Sequence, residues 1–192
     1  MSDNPFWGGT IRKLLPTEME KFRDHLLRMD RASRQLRFTH AVSDSVIEDY
    51  ARRMNDAGAI AYAYMLDGEA RAAAELRPVG NSWSPTAEAA FSVEPAFQNR
   101  GLGTELMGRI IRAAKNRSVQ RLVINCLVGN AKMQSIARKF EAELRFEHGE
   151  AVGEIIPAQA NYFSILAEAM EDSIGCMLSI LDYQQRTLAA SR

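Results

Sequence analysis

Cysteine is nearly absent from this chain: there are two in 192 residues, Cys126 and Cys176. Two distant cysteines build no disulfide framework, and no CxxC pair or metal-ligand spacing appears. Histidine is as scarce. His25, His40 and His148 are scattered, which argues against a zinc site, and no metal is expected. An excess of either charge is also missing, with 24 basic and 24 acidic residues. Nothing electrostatic therefore points to a nucleic acid or to a strongly acidic protein partner. No apolar run approaches the roughly 20 residues of a membrane span. The N-terminus shows no basic stretch followed by an apolar run, so no signal peptide is visible. These absences lead to the expectation of a soluble, cytoplasmic protein that binds neither nucleic acid nor membrane. What is present is an apolar fraction of 46%, enough for an ordinary core, in a length of about one domain.

The patterning alternates between helical and strand-like periods. Residues 10–15 read as a short first strand, stopped by Pro16. Thr17 with Glu20 has capping-box spacing, and Met19, Phe22, Leu26 and Met29 predict a helix over 17–29. Residues 30–43 are polar and basic, with Leu36 and Phe38 embedded. A second helix is expected over 44–56, closed by Gly58. Residues 59–66 and 69–77 read as strands joined by the hairpin signal Asp67-Gly68. The stretch 78–85, with two prolines, Gly80, Asn81 and Ser82, reads as a loop. Strand 86–94, a helix over 103–117 and strand 119–128 form one βαβ unit, so its strands should be parallel. Asn130 caps a helix expected over 131–144. Residues 145–156 read as a strand pair or one bent strand. A single long helix is expected over 159–189, with Phe163, Leu166, Met170, Ile174, Met177 and Leu181 recurring at helical spacing.

The informative segment is Gln98-Asn99-Arg100-Gly101-Leu102-Gly103-Thr104, between a strand and a helix. A helix N-terminus has amides without intrahelical partners and a partial positive charge, both of which suit a pyrophosphate. Glycines at 101 and 103 would let the backbone approach phosphate oxygens closely. The lysine of a Walker loop is missing. A Rossmann turn needs glycine where Leu106 stands, and a hairpin precedes this loop.

The stretch from Phe91 to Gly103, with Gln98, Gly101 and Gly103, resembles the central acyl-CoA motif of the GNAT acyltransferases, Gln/Arg-x-x-Gly-x-Gly/Ala. Asn130-x-x-Met133-x-x-Ile136-Ala137-x-Lys139 is similar to that family's second CoA-contacting segment. The resemblance covers about residues 10–156. Leu36-Arg37-Phe38 and Ile136–Phe140 also look like bacterial protein-lysine acetyltransferases that act on acyl-CoA synthetases. The family's Gly-Phe after the last helix is replaced here by Glu141-Ala142. The resemblance implies an α/β (α+β) fold: a mixed, mostly antiparallel sheet flanked by helices, with a long C-terminal helix added. It implies an acyltransferase domain over 1–157 and a helical extension over 158–192.

It also implies a reaction. Acetyl-CoA would be the cosubstrate, and an amine of a protein lysine or a small molecule the acceptor. Phe91 and Val93 would lie against pantetheine, with the Val93 N–H polarising the thioester carbonyl. Residues 99–104 would hold the pyrophosphate, with Gln98 opening the motif, and Asn130 and Met133 would line the pantetheine arm. Glu88 would take the amine proton, with Glu94 the second candidate. The tyrosine that many members use to protonate the thiolate aligns with Ala137 and is missing, so the thiolate would leave unaided or through water.

Other features have two readings each. Tyr62 and Tyr64 share one strand face and belong to the core or to an acceptor cleft. Cys126 reads as a small core residue. Arg28, Arg31, Arg34 and Arg37 recur every third residue and form a solvated face or contact an anion. The last helix has a broad apolar face that its own sheet or a second subunit must cover; a homodimer through it is expected. A non-catalytic acyl-CoA-binding regulatory module is the alternative to an enzyme, and a pure interaction protein is the third.

Overall fold

The computed structural model describes residues 8–56, 58–80 and 85–190. Asn81 and Ser82 of the expected loop lie outside the described residues. Among the described residues, seven strands form one sheet in the order β1-β2-β3-β4-β5-β7-β6. They are β1 (Thr10–Lys13), β2 (Ile60–Leu66), β3 (Glu69–Pro78), β4 (Thr86–Val93), β5 (Arg121–Leu127), β6 (Glu143–Glu147) and β7 (Glu150–Ile155). The β4–β5 pair is parallel and the other neighbours are antiparallel, as a single βαβ crossover among hairpins requires. The helices are α1 (Met19–Arg28), α2 (Arg31–Phe38), α3 (Asp44–Asp56), α4 (Leu102–Asn116), α5 (Ala131–Lys139) and α6 (Tyr162–Ala190).

Alternation along the strands divides the core into two layers. Tyr62, Tyr64, Ala72, Ala74, Leu76, Ala87 and Ala89 face α4, meeting Leu102, Leu106 and Ile110. Ala61, Ala63 and Ala73 face Phe22 and Leu26 of α1 and Ile47 of α3. The two tyrosines are therefore core residues, as is Cys126, whose thiol burial pushes to a higher pKa. The turn Asp67-Gly68 has positive φ at both positions, 52° and 76°, as a type I′ hairpin needs. His148-Gly149 repeats this between β6 and β7, so 145–156 belongs to a strand pair.

Three expectations need correction, and one stretch given no element by its sequence is now assigned. The polar stretch after residue 30 is helical: Asp30 caps α2, its side chain accepting from the Ser33 amide at 2.7 Å. The first helix begins at Met19 after a 3-10 turn. Glu18, rather than Glu20, reaches back to an amide, that of Leu15, at 3.2 Å. The helix after Asn130 stops at Lys139. Glu141 takes a left-handed φ of 60°, while the amides of Glu141 and Ala142 donate to Arg138 and Ala137. That is a Schellman end with glutamate in glycine's place, which frees 143–147 for a strand. Finally, the arginines of 28–37 do not form one solvated face: Arg28 and Arg31 are exposed, while Arg34 and Arg37 are partly buried. Arg28 meets Glu94, Arg37 meets Glu75, and Arg34 meets Asp44.

Helix α6 is inverted relative to the usual surface helix. Its polar residues face the protein. Lys13 pairs with Asp172 at 2.8 Å, Arg109 with Glu171 at 2.9 Å, and Arg117 with Glu168 at 2.8 Å. Gly175 lets it settle on β1, since an added Cβ would stand 3.3 Å from Arg12 Cβ. Its large apolar side chains point outward, with Phe163 78% and Met177 67% exposed.

Candidate active site

Strands β4 and β5 pair only from Thr86–Arg121 to Ala89–Ile124. Beyond Ala89, β4 stays in register with β3 through Val93, while β5 stays with β7 through Leu127. The two parallel strands part, and a cleft of about 550 Å³ opens at the gap. One wall is Met29, just past α1, with Ser33, Leu36 and Arg37 of α2; the other comes from α4 and α5.

The strand's hydrogen bonding fixes which backbone groups face that gap. The Glu94 amide donates to Arg71 O at 3.1 Å, on the β3 side. Backbone groups alternate edges along a strand, so the N–H and C=O of Val93 and Phe91 point the other way. Val93 O accepts from Gln98 Nε2 at 3.0 Å, and Gln98 Oε1 accepts from Lys132 Nζ at 2.9 Å. Gln98 thus spans the gap as a brace from β4 to α5. Phe91, Val93 and Gln98 all line the cleft.

The loop after Gln98 is bent by Asn99 at φ 61° and Gly101 at φ 86°. Gly101 stands at the N-cap of α4, and its carbonyl receives the first helical bonds, from Thr104 at 3.0 Å and Glu105 at 3.1 Å. The amides of Gly101, Leu102 and Gly103 precede that ladder, and these three residues with Asn99 and Thr104 border the cleft. The Thr104 amide is spent on Gly101. Arg100 stands outside the lining and lies over the Phe97 ring, 5.5 Å from its centroid. Gly103 has a packing reason as well as a ligand reason: a Cβ there would come within 2.9 Å of Ile136 Cδ1. Opposite, Asn130 caps α5 by accepting from the Met133 amide at 3.1 Å, and both residues line the cleft. Ala137, at the position where the sequence resemblance places a tyrosine, is buried.

Glu88 lies on the α1 side of β4 but not among the residues lining the cleft. Its Oε2 accepts from Arg77 at 2.8 Å and its Oε1 from Asn125 at 3.1 Å. Glu94 accepts from Arg28 at 3.1 Å and from Arg71 at 3.3 Å.

One group was missed in the sequence. His25 of α1 is 0% exposed. Its Nε2 lies 2.9 Å from Ser92 Oγ and its Nδ1 3.3 Å from Glu94 Oε1. Burial lowers the His25 pKa, against the pull of Glu94. Burial acts to raise Glu94, but His25 and Arg28 outweigh it and hold the carboxyl below its ordinary range. A carboxylate only accepts, so Nδ1–H donates to Glu94 and the bare Nε2 accepts the Ser92 hydroxyl. Ser92 is 5% exposed and lines the cleft. No local motif joins residue 25 to 92; only the packing of α1 across β4 does.

A family model for the acetyltransferase (GNAT) family matches residues 21–141. The fold is similar to the GNAT domain of S. lividans PAT, at 21% identity and TM-score 0.64, over 77% of this chain and 90% of that one. It is also similar to yncA of Salmonella typhimurium, solved with its cofactor acetyl-CoA. There the identity is 16% and the TM-score 0.57, over 80% of this chain and 96% of that one. A third similar structure is RimL, a ribosomal L7/L12 alpha-N-protein acetyltransferase in complex with coenzyme A. It is 15% identical, with a TM-score of 0.59, over 78% of this chain and 94% of that one. The parted strands, the loop ahead of α4 and the matched family model together place this chain in the acetyltransferase (GNAT) family.

Proposed function

We propose that the chain transfers an acetyl group from acetyl-CoA to a primary amine, of a protein lysine or a small molecule, by direct attack in a ternary complex. The observation that carries this reading is the parting of β4 and β5 after Ala89, beside amides that precede the α4 ladder. Pantetheine would occupy the gap as an extra strand along Phe91 and Val93, with Asn130 and Met133 across from it. The diphosphate would sit on the loop 99–104, at the positive end of α4. The Val93 N–H, aimed into the gap, would polarise the thioester carbonyl; donors of this kind contribute about 2.7–4 kcal/mol. The thiolate leaves without a tyrosine, because Ala137 supplies no proton. The two similar structures solved with acetyl-CoA and coenzyme A support the cosubstrate.

An acceptor amine must lose a proton before it attacks, since lysine's reference pKa is about 10.4. The family resemblance nominates Glu88, whose carboxylate oxygens are held by Arg77 and Asn125. A Glu88→Gln variant with reduced turnover and a flattened alkaline rise supports that role; unchanged turnover removes it. The reading as a whole is tested by acetyl-CoA calorimetry together with CoA-thiol release over a panel of amines. Binding with release is expected. Binding without release from any amine would mark a regulatory acyl-CoA-binding module instead.

Residues 158–192 add an assembly role. We propose that a second copy covers α6, making a homodimer. The outward side chains present roughly 1,000 Å² of apolar surface, close to the ~800 Å² per partner of a stable interface. The polar side of α6 is already spent on β1 and α4, which leaves the apolar side for the partner.

A further inference from the structure

Among the buried titratable groups of the described residues, His25 is one that the acetyl-transfer reading leaves unused, and its hydrogen-bond chain reaches the cleft. The chain runs Glu94 Oε1, His25 Nδ1, His25 Nε2, Ser92 Oγ, with separations of 3.3 and 2.9 Å at its two links. The order is carboxylate, imidazole, hydroxyl, the constellation that recurs on unrelated folds wherever a hydroxyl must part with a proton. Its outer end lies on the acceptor side. Ser92 shares a strand face with Glu88, and the neighbouring wall is Met29 and Arg37. Val93, next in the chain, points its N–H into the gap. The hydroxyl, on the α1 face of β4, and the proposed carbonyl donor, on its open edge, therefore belong to consecutive residues.

We propose that Ser92 and His25, in place of Glu88, whose oxygens are held by Arg77 and Asn125 outside the cleft lining, carry the proton of the acceptor amine, with Glu94 as the positioning residue for His25. This deepens the acetyl-transfer reading and rests on it. The ammonium N–H bond breaks, its electron pair staying on nitrogen. The proton passes to Ser92 Oγ as the serine proton passes to His25 Nε2. The free amine attacks the thioester carbon, and the C–S bond breaks with its pair going to sulfur. The imidazolium returns its proton through Ser92 to the thiolate, and the second amine proton leaves to solvent. One relay thus supplies both the base and the acid that Ala137 cannot provide.

Facing His25 are Ser92 and Glu94, with Arg28 on its own helix and Arg37 on α2; Arg71 holds the far oxygen of Glu94. The carboxylate compensates the transient imidazolium, while burial first, and the two arginines second, keep the resting ring neutral. That division lets the ring receive a proton only when a hydroxyl hands one over.

The test compares two amines that differ in basicity: butylamine, protonated at neutral pH, and trifluoroethylamine, already neutral there. With butylamine, Ser92→Ala should lower kcat about 100-fold, the usual scale of general acid–base help. With trifluoroethylamine the loss should be below about fivefold, since no ammonium proton needs removing. Acetyl-CoA affinity by calorimetry should stay unchanged, and Ser92→Thr, which keeps the hydroxyl, should restore turnover of butylamine. Equal losses with both amines, full activity of Ser92→Ala, or an acetyl-serine at 92 by mass spectrometry would overturn the relay. Wild-type protein that binds acetyl-CoA but acetylates neither amine would sink the transfer reading itself, a result distinct from any of these.

Discussion

Ala89 and Ile124 are the last facing pair between β4 and β5. Before them two parallel strands are joined; after them each keeps only its outer neighbour, β3 or β7. The loss of pairing follows from connectivity as much as from composition. β4 runs on to Val93 and then into the bend that starts α4, while β5 ends at Leu127 and turns into α5.

The bend depends on Gly101, at φ 86° and followed directly by α4. A Cβ in that conformation costs about 1–2 kcal/mol. Gly101→Ala should lower unfolding free energy by about 1 kcal/mol and weaken acetyl-CoA about tenfold, as the amides tilt away from the diphosphate. Gly103→Ala meets only the mobile tip of Ile136, so its stability loss should be smaller, under about 1 kcal/mol. Urea titration and calorimetry on both variants check the order.

Glu141 is a misfit that can be repaired. It holds the left-handed position of the α5 end, where glycine has no Cβ penalty. Glu141→Gly should raise stability by about 0.5–1 kcal/mol, seen as a higher urea midpoint at unchanged slope. A lower midpoint would mean that the carboxylate contributes more than the strain costs.

Acid should destabilise the fold in two steps. Burial sets the folded pKa of His25 below its ordinary 6.5. Above that value neither state carries the proton, and the contribution is constant. Below it the unfolded chain takes a proton that the folded chain refuses, so stability falls as pH falls, by at most ~1.4 kcal/mol per unit. At lower pH a second group adds to this. Arg12 and Lys21 outweigh burial and draw Glu18 down to about 2, so its contribution is lost from about 4.5 downward. Urea midpoints between pH 7 and 5 should decline, and His25→Gln should flatten that limb alone.

Helix α6 should assemble the protein. Met170→Glu together with Met177→Glu should convert a sedimenting dimer to a monomer and leave Tm independent of concentration. A wild-type monomer at micromolar concentration would contradict the proposed interface.

Much of this was legible locally. The hairpin at Asp67-Gly68, the N-cap at Asn130 and the strand-loop-helix around Gly101 each declare themselves within a few residues. What escaped depends on distance or on an atypical residue. Helix α2 is only 8 residues long, so its apolar positions span too few turns to establish a period; the Asp30 cap marks it. Glu141 ends α5 by a backbone conformation that its identity does not advertise. The ion pairs of Arg37 and Arg28 were invisible because their partners, Glu75 and Glu94, lie 38 and 66 residues away in β3 and just past β4. The same distance hid His25 beside Ser92. The orientation of α6 could not be read either: its apolar period shows a face without saying where that face points.

The central claim is that the amides of Gly101–Gly103 and the open edge of β4 receive acetyl-CoA. A crystal structure with acetyl-CoA bound tests it most directly. The diphosphate should lie within hydrogen-bond distance of the Gly101 and Gly103 amides, and the thioester oxygen should face Val93 N–H. Cofactor seated elsewhere, or those amides closed by the protein's own acceptors with the strands rejoined beyond Ala89, would contradict the account.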